Sequence, residues 1–143
     1  MSKIIYNKIL AKLERLDEYL KYLSEIRKIK KENFLTDYHV YGLAERYIQL
    51  SIEIMIDVGK LIIVSEKFRK PEDNPGILII MCENQIISEK MLQDLAGIVN
   101  FRNILVHDYE KIDREIVYKK LRNNLNNFVD FKKAILIFIK KKT

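Results

Sequence analysis

Ile77-Leu78-Ile79-Ile80-Met81-Cys82-Glu83-Asn84 is the stretch on which the fold class turns. Six apolar residues in succession suit a buried strand or a buried helix equally, because periodicity says nothing when every position is apolar. A strand needs a partner, and no second strand is available to pair with this one. The segment is therefore predicted to be helical, and the chain to be all-α.

Just upstream, Arg69-Lys70-Pro71-Glu72-Asp73-Asn74-Pro75-Gly76 forbids a continuous helix and reads as a loop inside one domain. Before it, Val40, Leu43, Ala44, Tyr47, Leu50, Ile54, Val58, Leu61 and Ile62 form one helical series reaching about Lys67, with Thr36 or Asp37 as its N-cap. Gly42 and Gly59 lower helix propensity there but permit close approach of a neighbouring backbone. At the amino terminus, Ile5, Ile9, Leu13, Leu16, Leu20, Leu23 and Ile26 step by four and three along a long first helix. The charged stretch Lys28–Asn33 reads as a connection. Downstream, Ser88 is an N-cap for a helix carrying Met91, Leu92, Leu95, Ile98, Val99 and Leu105. Asp113 caps a last helix with Val117, Leu121, Leu125, Phe128, Ile135 and Phe138 inward. The prediction is one domain over residues 1–143, an antiparallel up-down four-helix bundle with an additional short helix.

The 143 residues suffice for one apolar core burying roughly 68–70% of the unfolded surface. One cysteine, Cys82, excludes an internal disulfide and cysteine-based zinc sites, and fits a reducing compartment. Lysines interrupt the amino-terminal apolar residues, so no signal peptide is expected. No apolar run approaches the ~20 residues of a membrane helix, and a cytoplasmic protein without membrane contact is anticipated. Residues 111–143 hold ten basic and three acidic side chains, whereas the rest of the chain holds 16 basic and 17 acidic, so the net charge of +6 resides in the last segment. Lys119, Lys120 and Arg122 on that segment are candidate contacts to a polyanion, with a merely solvated helix face as the alternative.

Four scattered glycines cannot build a phosphate loop, and the two histidines fall in no metal-ligand spacing, so no metal or cofactor is expected on this chain. His39, between Tyr38 and Val40 in the first turn of its helix, reads as a surface residue. His107 differs, because it follows Phe101-Arg102-Asn103-Ile104-Leu105-Val106 and precedes Asp108-Tyr109 at the end of a helix. Asn103 and His107 are four apart and share a face, with Arg102 about 100° around. A fixed guanidinium can clamp phosphate oxygens, and an imidazole titrating near neutrality can move protons. Equally, His107 could cap the helix carbonyls and Arg102 could pair with Asp57 or Glu53.

Arg102-Asn103 followed by His107 resembles the Arg-x4-6-His signature of HEPN domains, and Arg102-x4-His107-x-Tyr109 resembles the HepT toxins of HepT/MntA toxin–antitoxin pairs. The likeness spans nearly the whole chain and extends to Glu45-Arg46, Gln49, Glu53 and Asp57. It implies a HEPN-like fold and a type VII toxin that acts as a homodimeric, metal-independent endoribonuclease. Arg102 and His107 would be catalytic, with Asn103 orienting the reacting groups. It also implies a minimal nucleotidyltransferase antitoxin, using ATP and magnesium of its own, that adenylylates Tyr109. The alternative is a non-catalytic HEPN subunit that binds nucleotide and docks such an enzyme.

Overall fold

In the computed structural model the structure describes residues 1–107 and 113–142, the side chains of Val106 and His107 excepted. The described residues form helices and no strands: α1 (Lys3–Arg27), α2 (Lys31–Thr36), α3 (Tyr38–Ser65), α4 (Asn74–Glu83), α5 (Glu89–His107), α6 (Arg114–Asn123) and α7 (Leu125–Lys140). Residues 77–83 are helical, as predicted. In α4, Ile77, Leu78, Ile80 and Met81 are buried.

The long α1 and α3 pair antiparallel. Lys12 meets Asp57 at 3.5 Å near one end, while the Tyr19 and Tyr22 rings lie 5.6 and 5.0 Å from the Tyr47 ring further along. On the other side of α1, Arg122 Nη1 donates to Arg27 O, Lys132 pairs with Asp17, and the amino terminus donates to Lys142 O. Hence α6 and α7 together run antiparallel to α1 as one interrupted rod. With α5 as the fourth rod and α2 and α4 as short additions, the bundle is of the predicted kind. Its core is a single cluster that includes Ile9, Leu16, Phe34, Ile52, Met55, Ile80, Phe128 and Phe131.

Three boundaries and one inward assignment depart from the sequence prediction. The stretch expected to be a connection holds α2, whose Phe34 is fully buried and rests on Tyr118 with ring centroids 5.4 Å apart; tertiary burial overrides the charged local composition. The predicted loop ends early, because α4 starts at Asn74. Asp73 caps it by accepting from Gly76 N at 2.8 Å, and Pro75 sits in the first turn, where its missing N–H has no helical partner to lose. The single last helix is divided at Asn124, amid Asn123, Asn126 and Asn127, residues of low helix propensity that compete for the backbone. Leu43, assigned to the apolar series of α3, is 49% exposed.

The caps follow prediction more closely. Asp37 accepts from His39 N at 3.0 Å, Ser88 from Met91 N at 3.1 Å and Asp113 from Glu115 N at 2.9 Å. Of the two glycines singled out in α3, Gly42 faces open space. Gly59 lies where a Cβ would collide with the Ile77 side chain and stand 3.2 Å from Met81 Sδ, so its smallness seats α4 on α3.

Candidate active site

The site is built on α5. Its apolar residues Leu95, Ile98, Val99 and Leu105 are buried at helical spacing, and Arg102 falls in the same stripe. A position that would suit leucine thus carries a guanidinium. Arg102 consequently retains only 23% of its side-chain exposure, and Asn103, the next residue around the helix, is exposed.

Directed inward, Arg102 reaches Glu53 on α3, with Nη2 donating to Oε1 at 3.5 Å. Gln49, one turn earlier on α3, donates from Nε2 to the same oxygen at 3.2 Å. Arg102 Nε is sealed from solvent and has no hydrogen-bond partner among the described residues. Of the two acids available in the sequence, Glu53 meets the arginine, and Asp57 instead pairs with Lys12. Gln49, Glu53 and Asp57 step by four along α3, a polar line on a mostly apolar helix. That spacing is the sequence signal for Gln49, a residue outside the predicted site.

Glu53 also lines a cleft of about 360 Å³ between α1 and α3, with Lys12, Arg15, Tyr19, Leu50 and Asp57 on its walls. The larger cleft, about 820 Å³, lies at the α4–α5 junction around Ile79, Cys82, Gln85 and Leu92 and contains none of the predicted site residues.

His107 is the last residue of α5, which places its backbone on the same rigid helix as Arg102 and Asn103. The imidazole of His107 and the whole of Tyr109 lie outside what the structure describes. His39 is exposed, its ring 4.1 Å from that of Tyr38. Among the described residues no group of three His, Cys, Asp or Glu gathers as metal ligands.

The basic segment divides between internal and outward roles. Arg114 donates to Leu35 O at 3.1 Å and lies over the Tyr41 ring at 4.1 Å. Lys132 pairs with Asp17, and Lys142 with Glu66 at 3.3 Å. Lys120 turns toward α5, 5.8 Å from the Phe101 ring. Lys119 and Arg122 are exposed and three residues apart on α6, so they share a face; Arg122 also holds Arg27 O at 3.4 Å. Near Arg114, the half-buried Glu45 has its carboxyl raised above the ordinary range by burial, with the Arg114 charge opposing the rise.

Compared with known protein families, residues 9–135 match the model described as "Ribonuclease HepT-like". The chain belongs to the HepT-like ribonuclease family. It is 27% identical over 118 residues to "tRNA nuclease HepT" of Aphanizomenon flos-aquae, covering 82% of this chain and 80% of that one. To "mRNA nuclease HepT" of Shewanella oneidensis it is 24% identical over 131 residues, 92% and 95% of the two chains. The fold of this HepT-like chain also superposes with a TM-score of 0.78 on a tri-AMPylated Shewanella oneidensis HEPN toxin in complex with an MNT antitoxin, at 24% identity and covering 96% and 99%. Among the described residues no helix is long and apolar enough to cross a membrane.

Proposed function

We propose that this HepT-like ribonuclease is a metal-independent endoribonuclease that works as a homodimer, and that it is the toxin of a type VII toxin–antitoxin pair. The observation that carries the reading is Arg102: an arginine on the buried stripe of α5, most of its donors without acceptors among the described residues, five residues before His107 on the same helix. A guanidinium so placed suits a phosphate better than it suits packing.

In the proposed reaction the ribose 2′-oxygen attacks the adjacent phosphorus and the bond from phosphorus to the 5′-oxygen breaks. The products are a 2′,3′-cyclic phosphate and a 5′-hydroxyl, and the proton lost by the 2′-hydroxyl is balanced by the one gained by the 5′-oxygen. His107 carries one of these transfers, Arg102 stabilises the charge that builds on the phosphate, and Asn103 orients the reacting groups. Lys119, Lys120 and Arg122 add sequence-independent attraction to RNA. The relatives named tRNA nuclease and mRNA nuclease support RNA as the substrate class.

Control is assigned to Tyr109. Its phenolic oxygen would attack the α-phosphorus of ATP on a nucleotidyltransferase antitoxin, with pyrophosphate leaving, and the attached AMP would set bulk and negative charge beside Arg102 and His107. The ATP and magnesium belong to that partner and not to this chain. The AMPylated toxin–antitoxin complex among the structural relatives supports this part of the reading.

The test is RNA cleavage by purified wild-type and His107→Ala protein in EDTA, with an end-group assay. Cleavage that survives EDTA, leaves a 2′,3′-cyclic phosphate and vanishes in the variant is the expected result. An inactive protein whose intact mass shows no added AMP would instead favour a non-catalytic nucleotide-binding subunit.

A further inference from the structure

The hydrogen bonds around Arg102 point to a role for a residue outside the Arg-x4-His motif. We infer that Glu53, itself tied down by Gln49, is a positioning residue that holds the Arg102 guanidinium in its working orientation. This inference rests on the ribonuclease reading above.

Arg102 enters the interior from α5 on a long, flexible stem, and its Nε has no acceptor among the described residues. One acceptor of known position restrains the head of that stem: Oε1 of Glu53, at 3.5 Å from Nη2. Without it, the guanidinium would be free to swing toward solvent and regain hydration at every donor. The carboxylate opposes that motion, and it does so from a fixed place. Glu53 sits in mid-α3 between the buried Ile52 and Ile54, and Gln49 Nε2 holds the same oxygen at 3.2 Å. Two donors on one oxygen fix the carboxylate's rotation as well as its position.

The arrangement restrains the arginine without saturating it. A guanidinium has five N–H donors, and among the described residues Glu53 engages one, so the Glu53 contact leaves the others for the oxygens of a phosphate. Fully paired, bidentate Arg–carboxylate contacts look different in this same protein: Arg69 donates to both oxygens of Glu83, at 3.0 and 2.7 Å. The Arg102–Glu53 contact is a single long bond, as expected of a tether that must not compete strongly with a substrate phosphate. Orientation is worth much in catalysis, because a reacting or stabilising group misplaced by about 1 Å can cost 10²-fold in rate.

Three variants and the wild type test the inference by steady-state RNA cleavage, with thermal melting to establish that each is folded. Glu53→Ala should lower kcat by about 10–100-fold with little change in KM, since the lost function is orientation of a transition-state contact and not substrate affinity. Glu53→Gln keeps a carbonyl Oε1 for both donors and should retain most of the wild-type kcat. Gln49→Ala leaves Glu53 in place but less fixed, and should show a smaller loss than Glu53→Ala. Wild-type kcat in a folded Glu53→Ala overturns the inference, as does an effect confined to KM or a Glu53→Gln as impaired as the alanine variant. If Glu53→Ala fails to fold, the comparison of Glu53→Gln and Gln49→Ala with wild type still decides, and equal loss in both overturns it. A wild-type protein without ribonuclease activity would remove the ribonuclease reading itself, whereas an active Glu53→Ala removes only the role of Glu53.

Discussion

Replacing Arg102 by methionine should separate stability from activity. The side chain occupies the buried stripe of α5, so an unbranched apolar residue of similar reach can fill its place. Two energetic changes follow from the geometry. The first is removal of the bond to Glu53, a single one at 3.5 Å between side chains 23% and 32% exposed, which solvent-screened pairs of this kind put at about 0–1 kcal/mol. Glu53 keeps its bond from Gln49 and its access to the α1–α3 cleft, so it is not left stranded. The second is relief of the sealed Nε, which has no acceptor among the described residues, and an unmet buried donor costs about 1–3 kcal/mol. The opposing terms predict a stability equal to the wild type or higher by up to about 3 kcal/mol. Catalysis should move the other way, with kcat falling by roughly 10²–10³-fold if the guanidinium stabilises the transition state. Urea denaturation followed by circular dichroism measures the first quantity and single-turnover RNA cleavage the second. A variant that loses more than about 2 kcal/mol would mean that Arg102 is retained for packing and pairing, and would refute its assignment as a functional intrusion into the core.

Other outcomes are equally specific. Asn103→Ala, altering an exposed residue, should leave the melting temperature unchanged while reducing cleavage, which a melt and a cleavage time course check together. The double substitution Lys119→Ala/Arg122→Ala should weaken RNA binding similarly for unrelated sequences and flatten its salt dependence. On single strands the log–log slope should shrink by about 0.7 for each phosphate no longer neutralised, which a salt titration of binding reads. Gly59→Leu should destabilise by about 1–3 kcal/mol or more, because the new side chain must displace Ile77 and Met81 where α4 sits on α3; a chemical melt reads this directly. Glu45 has a folded-state pKa raised by burial, so its contribution to stability is complete below its ordinary pKa of 4.5 and is lost as pH rises through the raised value. Glu45→Gln should therefore be more stable than wild type at neutral pH, with the difference vanishing below 4.5; a difference independent of pH would refute that origin.

Local signals in the sequence are reliable where the physics is local. Asp37, Ser88 and Asp113 cap helices because a short side-chain oxygen meets a backbone N–H two or three residues on, an interaction wholly contained in the sequence neighbourhood. The α2 turn is not legible there, because Lys31, Glu32 and Asn33 give a charged stretch with no apolar period; distant residues make the helix worthwhile, Tyr118 by packing on the buried Phe34 and Arg114 by donating to Leu35 O. The division at Asn124 escapes the apolar pattern because the inward residues of α6 and α7 keep nearly the same spacing across it. In the site, the candidate arginine and asparagine are readable from their places on one helix. The spacing of Gln49, Glu53 and Asp57 marks a polar line on α3, but not that Gln49 and Arg102 converge on one Glu53 oxygen, since that depends on how α5 packs against α3.

Composition and the spacing of apolar residues determined that this chain is helical, that its rods are long, and that Arg102, Asn103 and His107 ride one of them. Helical spacing depends on 3.6 residues per turn and on nothing further away. Tertiary structure decided which acid the arginine meets. Glu53 and Asp57 are one turn apart on α3, and both could pair with a cation, yet the register of α5 on α3 gives Arg102 to Glu53 while the register of α1 gives Lys12 to Asp57. It also decided which basic residues of the last segment face outward and which are held against α1, α2, α3 and α5. Register between helices is set by how their side chains interlock across the core, a sum over many non-local contacts that no window of sequence contains.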